Sequence, residues 1–198
     1  MAKVVKFPDP GPEKFGLQQV RKRRHKKSEK PGQLNLFSGG KIVSLHQLSP
    51  FEEALQLDDR GDRVNAKMLY CKAIEEKDSL ADAYCNLGIL ESLDDGIAKA
   101  IDCFTNSLKN DPRHYEAHYN LANLYAELGN YSLAKAHYEI SIEINSHFSN
   151  SYFNLGLTLA MNKDYQGAIK ALSQYKVLVP NDTQQADHLI QQLSFFTK

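Results

Sequence analysis

The chain has 198 residues, of which 24 are Lys or Arg and 24 are Asp or Glu, with three cysteines and no tryptophan. Three cysteines without close pairing exclude a disulfide scaffold and a zinc-ligand pattern, and no apolar run approaches the length that spans a bilayer, so reduced thiols and a cytoplasmic setting are expected. The zero net charge hides a division: residues 1–46 hold 11 basic and 3 acidic side chains, against 13 and 21 for residues 47–198, so a basic arm precedes an acidic body.

The opening MAKVVKFP is basic but meets Pro8 without an apolar core, so no export signal is expected. Residues 1–46 carry Pro8, Pro10 and Pro12 among polar residues and lack hydrophobic periodicity, which predicts a mostly disordered arm. Within it, Arg21, Lys22, Arg23, Arg24, Lys26 and Lys27 form a basic patch. That patch suits phosphate contact on RNA or DNA, an import signal, folding back onto the acidic body, or plain solubility. No aromatic residue interleaves it, so it offers no stacking platform for single-stranded bases. Downstream lies QLNLF, with Gln33, Leu34, Leu36 and Phe37 between Pro31-Gly32 and Ser38-Gly39-Gly40. It resembles the short motif by which bacterial replication and repair proteins dock on the DNA sliding clamp. The resemblance implies Gln33 as hydrogen-bonding anchor, Leu34 as support, and Leu36 with Phe37 as apolar plug; docking on the chain's own first repeat is the alternative.

From Ala81 the chain repeats every 34 residues: ADAYCNLG is echoed by YEAHYNLA from Tyr115 and SNSYFNLG from Ser149. A fixed period of this length marks a solenoid of one supersecondary unit. Numbered from the start of each unit, position 4 is Tyr84, His118 and Tyr152, position 7 is Leu87, Leu121 and Leu155, and position 8 is Gly88, Ala122 and Gly156. Position 20 is Ala66, Ala100, Ala134 and Ala168, and position 24 is Tyr70, Phe104, Tyr138 and Leu172. Small residues at 8 and 20 let two helices approach, and large ones at 4, 7 and 24 fill the space between them. Turns fall at Gly61-Asp62, Asp95-Gly96, Gly129-Asn130 and Lys163-Asp164, which predicts four helical hairpins. The first unit departs from the pattern with Pro50 and Glu53 at positions 4 and 7, and Ser49-Pro50-Phe51-Glu52 reads as a capped helix start. Near the end, Ala186, Leu189, Ile190 and Leu193 form the apolar stripe of a capping helix.

These positions resemble the tetratricopeptide repeat family over residues 47–182. The resemblance implies an all-α, right-handed solenoid of units 47–80, 81–114, 115–148 and 149–182, followed by a capping helix over residues 183–198. His114 and His118 sit four apart, but no third ligand accompanies them, so they read as structural and no metal or cofactor is expected. Phosphate loops, nucleophile elbows and metal-binding helix motifs are missing from the sequence, so no enzyme is expected.

On the first helix of each unit, positions 4, 7, 8 and 11 turn to the core and 2, 5, 6, 9 and 12 to the opposite side, which the family resemblance identifies as a concave groove. Position 6 is then an asparagine ladder of Asn86, Asn120 and Asn154, beside Cys85, Tyr119 and Phe153 at position 5 and Ile89, Asn123 and Leu157 at position 9. An asparagine offers donors and an acceptor together, which suits the main chain of an extended peptide, although asparagine here is equally a common structural residue of the family. Family members that clamp a C-terminal carboxylate use Lys and Arg at positions 5 and 9, which this chain lacks. The expectation is an adaptor for an extended partner segment. The alternative is a nucleic-acid-associated factor recruited through the basic patch and QLNLF.

Overall fold

The structure, a computed structural model, describes residues 16–21 and 48–197. Its regular elements among these residues are all helices: α1 Pro50–Asp59, α2 Arg63–Glu75, α3 Leu80–Leu93, α4 Ile97–Asn110, α5 Tyr115–Glu127, α6 Tyr131–Ile144, α7 Ser149–Met161, α8 Tyr165–Leu178 and α9 Gln184–Ser194. Packing is most extensive within α1/α2, α3/α4, α5/α6 and α7/α8, and lighter between successive pairs, so the chain is an all-α solenoid of hairpins. No described helix is long and apolar enough to cross a membrane.

The close approach within each hairpin has a visible cause. The position-20 alanines Ala66, Ala100, Ala134 and Ala168 are fully buried. A Cβ added at Gly88 would meet the Phe104 ring at 2.8 Å, and one at Gly156 would meet Leu172 Cγ at 2.7 Å. Position 8 is therefore small because position 24 of the same hairpin lies directly over it. Ser107 and Ser141 at position 27 are buried as well, and Ser141 Oγ lies 2.9 Å from Ser151 Oγ on the next hairpin.

The turns of the four hairpins share one backbone conformation. The fifteenth residue, Gly61, Asp95, Gly129 or Lys163, has φ between 58° and 79°. The sixteenth caps the second helix: Asp62, Asn130 and Asp164 accept the backbone N–H three residues on. In the second unit glycine has moved to the capping position, where a Cβ on Gly96 would meet the Glu91 carbonyl oxygen at 2.8 Å.

At the start, Ser49 and Glu52 form a capping box with Pro50 opening α1. At the far end α9 lays Ala186, Leu189 and Leu193, all fully buried, into the core of the last two hairpins. The expected division of the first helices into a core side and an open side is not what the structure shows. Cys85, Asn86, Tyr119, Asn120, Phe153 and Asn154 at positions 5 and 6 are all buried, as are His118, Leu121 and Leu155 at positions 4 and 7, where Tyr84, Leu87 and Tyr152 keep partial exposure. Neighbouring side chains cover the supposedly open side, and so does a second stretch of the chain itself.

Candidate functional site

Residues 16–21, part of the arm expected to be mostly disordered, lie without regular structure against the first helices of the units, and side-chain amides hold their main chain. Asn120 accepts the Gln18 N–H at Oδ1 over 2.6 Å and donates Nδ2 to the Gln18 carbonyl over 3.0 Å. Asn86 repeats the clamp on Val20, with both bonds at 2.8 Å. Tyr119 donates its hydroxyl to the Gly16 carbonyl at 3.1 Å, and Asn154 Nδ2 donates to that hydroxyl at 3.0 Å. The ladder thus meets Val20, Gln18 and, through Tyr119, Gly16, in the order of the units and against the direction of the segment.

The clamping amides are themselves fixed. Asn86 Nδ2 also donates to the Tyr70 hydroxyl at 3.2 Å, and Asn120 Nδ2 reaches Cys85 Sγ at 3.5 Å. Asn123 Oδ1 accepts from both Tyr138 and Asn154. Amides held in this way present their donors and acceptor without first losing rotamer freedom.

Side chains of the segment add a second layer. Val20 is 1% exposed and joins the cluster of Cys85, Ile89, Ala117, Leu121 and Leu124, against which Leu17 also packs. Gln19 Nε2 donates to Asp58 Oδ2 at 2.7 Å, which Tyr70 OH also reaches at 3.3 Å. Burial lifts the Asp58 carboxyl above the ordinary carboxylate range, and these two hydrogen bonds oppose the rise. Arg21 meets Asp59 at 3.3 Å on the exposed rim.

Of the expected groove residues, Cys85, Asn86, Ile89, Tyr119 and Asn120 gather around this segment, and Asn123 and Asn154 support it from behind. Phe153 instead packs edge-on against Tyr175 at 5.1 Å, and Leu157 is half-buried against the C-terminal cluster. Asp58 and Asp59 escaped the sequence reading because the first unit breaks the motif, although two adjacent acids ending a helix opposite a basic arm were a usable signal; Tyr70 was expected only as a packing residue at position 24. Lys22, Arg23, Arg24, Lys26 and Lys27 lie outside the described residues, as do Gln33, Leu34, Leu36 and Phe37, so the phosphate and clamp readings rest on residues the structure does not describe.

The two histidines expected to be structural take separate roles. His114 caps α5 through Nδ1, which accepts the Ala117 N–H, and its Nε2 meets Asp82 at 2.9 Å. His118 Nε2 faces the Pro112 carbonyl at 3.2 Å, which requires an N–H there, so its Nδ1 accepts from His137 Nδ1–H over 2.9 Å. No cluster of three or more potential metal ligands occurs among the described residues.

Residues 115–148 match a family model described as tetratricopeptide repeat, and residues 150–193 match a second model of the same description. No curated protein matches the sequence. Solved structures share the fold at low identity. YrrB, a TPR protein with an unusual peptide-binding site, aligns with a TM-score of 0.64 at 20% identity over 75% of this chain and 76% of its own. MamA AMB-1 gives 0.64 at 20% identity over 75% of this chain and 80% of its own. The first TPR of Spaghetti (RPAP3), bound to HSP90 peptide SRMEEVD, gives 0.56 at 20% identity over 59% and 92%.

Proposed function

We propose that this tetratricopeptide-repeat chain is a non-enzymatic adaptor that holds an extended segment of a partner protein in the groove lined by Asn86 and Asn120. One observation carries the reading: each of these asparagines satisfies both the N–H and the C=O of a single residue of an extended chain. A bidentate amide clamp reads main chain without demanding a particular side chain, as strand addition does at a sheet edge. The adjoining seat for Val20 then adds selectivity for an aliphatic residue. Peptide binding by YrrB and by the Spaghetti domain supports the same use of the fold.

Display selection of random peptides on the full chain carrying Val20→Asp, which frees the groove of its own segment, tests the reading. Enriched peptides should lose binding by roughly ten- to a hundredfold when Asn86→Ala or Asn120→Ala is added, in line with about 1–3 kcal/mol for a buried group left unpaired. Peptides indifferent to both changes would place the partner surface elsewhere.

A further inference from the structure

We infer that residues 16–21 are a built-in ligand of the groove, and that a partner enters by carrying the same trace and displacing them. The inference rests on the peptide-groove reading and deepens it by naming the ligand. That ligand is an extended segment with an aliphatic side chain where Val20 sits, a second aliphatic three residues before it, an amide directly before it and a cation directly after it.

Each part of this pattern has a receiver. Leu17 and Val20 pack on the apolar cluster between the second and third units. Gln19 ends on Asp58 and Arg21 on Asp59, so the last turn of α1 forms a polar and acidic rim at the C-terminal end of the ligand. The main chain of Gln18 and Val20 is paired on both its N–H and its C=O. A segment that merely drifted onto an acidic surface would use its cations first. Here the one described cation of the basic patch makes an exposed rim contact, while the neutral stretch before it is half-buried and ends on the fully buried Val20.

Tethering turns this contact into a competition. Only residues 22–47 separate the segment from the start of the solenoid. A ligand on so short a connection acts at an effective concentration on the order of millimolar. Even a segment whose intrinsic Kd is about 0.1 mM then weakens an outside ligand roughly tenfold, because the groove is open in only about a tenth of molecules.

The test uses the full chain and a fluorescent peptide of residues 13–24, EKFGLQQVRKRR, followed by anisotropy. Val20→Asp leaves every residue of the repeats in place and releases the internal segment, because a carboxylate does not fit the apolar seat of Cys85, Ile89 and Leu121. The peptide should bind this variant at least about tenfold more tightly than the unsubstituted chain. A peptide with Asp in place of Val20, which keeps all its cations, should bind neither. Equal affinity for the two proteins would overturn the gating while leaving the groove reading intact. Absence of binding to the Val20→Asp chain would overturn the assignment of residues 16–21 as a ligand. Tight binding that survives both Asn86→Ala and Asn120→Ala in the Val20→Asp background would sink the groove reading itself. Sedimentation of the unsubstituted chain should show a monomer. A dimer lost on Val20→Asp would mean the segment serves a second copy, and would overturn the internal arrangement.

Discussion

Single side chains decide which charges and amides this molecule tolerates in its interior. Asn86 and Asn120 are fully buried, and their polar atoms are matched by the chain's own backbone. Asn120→Ala should therefore orphan both main-chain groups of Gln18, speed amide exchange at Gln18 by roughly tenfold or more, and leave the helices' exchange unchanged; uniform acceleration across α5 would show the residue to be a core element instead. The histidine pair works through protons. Burial first, and then His118 beside it, pushes His137 down to about 4, and burial also lowers His118 against the opposing pull of the Pro112 carbonyl. Asp111 and His114 act on His118 as well, in opposite directions. Because both folded values lie below the ordinary one, the unfolded chain takes up protons first as the pH drops. The stability this pair contributes is complete above about pH 6.5 and is lost as the pH falls through the lowered folded values, for His137 down to about pH 4. Urea unfolding at pH 7 and pH 5 should show this loss, and His137→Phe, which keeps a ring stacked on Tyr125, should shrink the difference between the two pH values.

At the scale of the element, the left-handed fifteenth residue sets the quality of each hairpin. Gly61 and Gly129 adopt positive φ freely, whereas Asp95 and Lys163 hold the same conformation with a Cβ in place. Lys163→Gly should stabilise the chain, by about 1 kcal/mol, read as a shift in the denaturation midpoint without a change in slope. The second unit does not accept the equivalent exchange of Asp95 and Gly96, since Gly96 is pressed against the Glu91 carbonyl. The four hairpins, their turns and the capping box were legible in the sequence because each is written locally, as small residues in register, turn pairs, or Ser49 three residues before Glu52. The asparagines at position 6 were legible as a ladder but not as buried residues. Asn86 and Asn120 are covered by residues 16–21, which lie 66 and 102 residues away from them, and no periodic pattern crosses that distance. A stretch of five residues, GLQQV, between prolines and a basic run carries too little signal to announce its partner. The roles of Asp58 and Tyr70 depend on that same long-range contact.

At the scale of the whole molecule, and among the described residues, charge is a minor part of what joins residues 16–21 to the solenoid. Arg21 to Asp59 is an exposed pair and contributes between zero and about 1 kcal/mol. The larger share comes from burying Val20 and from the paired amides, so attachment of the segment should survive raised salt far better than a purely electrostatic contact would. The alternation of contacts along the segment has a mechanical meaning. Successive asparagines of the ladder are 34 residues apart in the protein, yet they engage residues two apart in the segment. An extended chain rises about 3.3 Å per residue, so the solenoid advances one unit for about 6.6 Å of ligand. Between Val20 and Gln18 the two polymers mesh like a rack and pinion, one hairpin to one dipeptide. Such a clamp tolerates changes of tooth shape, while an added tooth shifts the phase only of the side chains that precede it. Substitution of Gln18 by another polar residue should leave docking intact. One alanine inserted between Gln18 and Gln19 should leave Val20 in its seat with its amide protected, bring the alanine's main chain to Asn120, and turn Leu17 to the opposite side of the segment, away from the cluster it packs on. Two inserted alanines should return Leu17 to its original side of the segment, two residues farther from Val20, with the Val20 amide still protected.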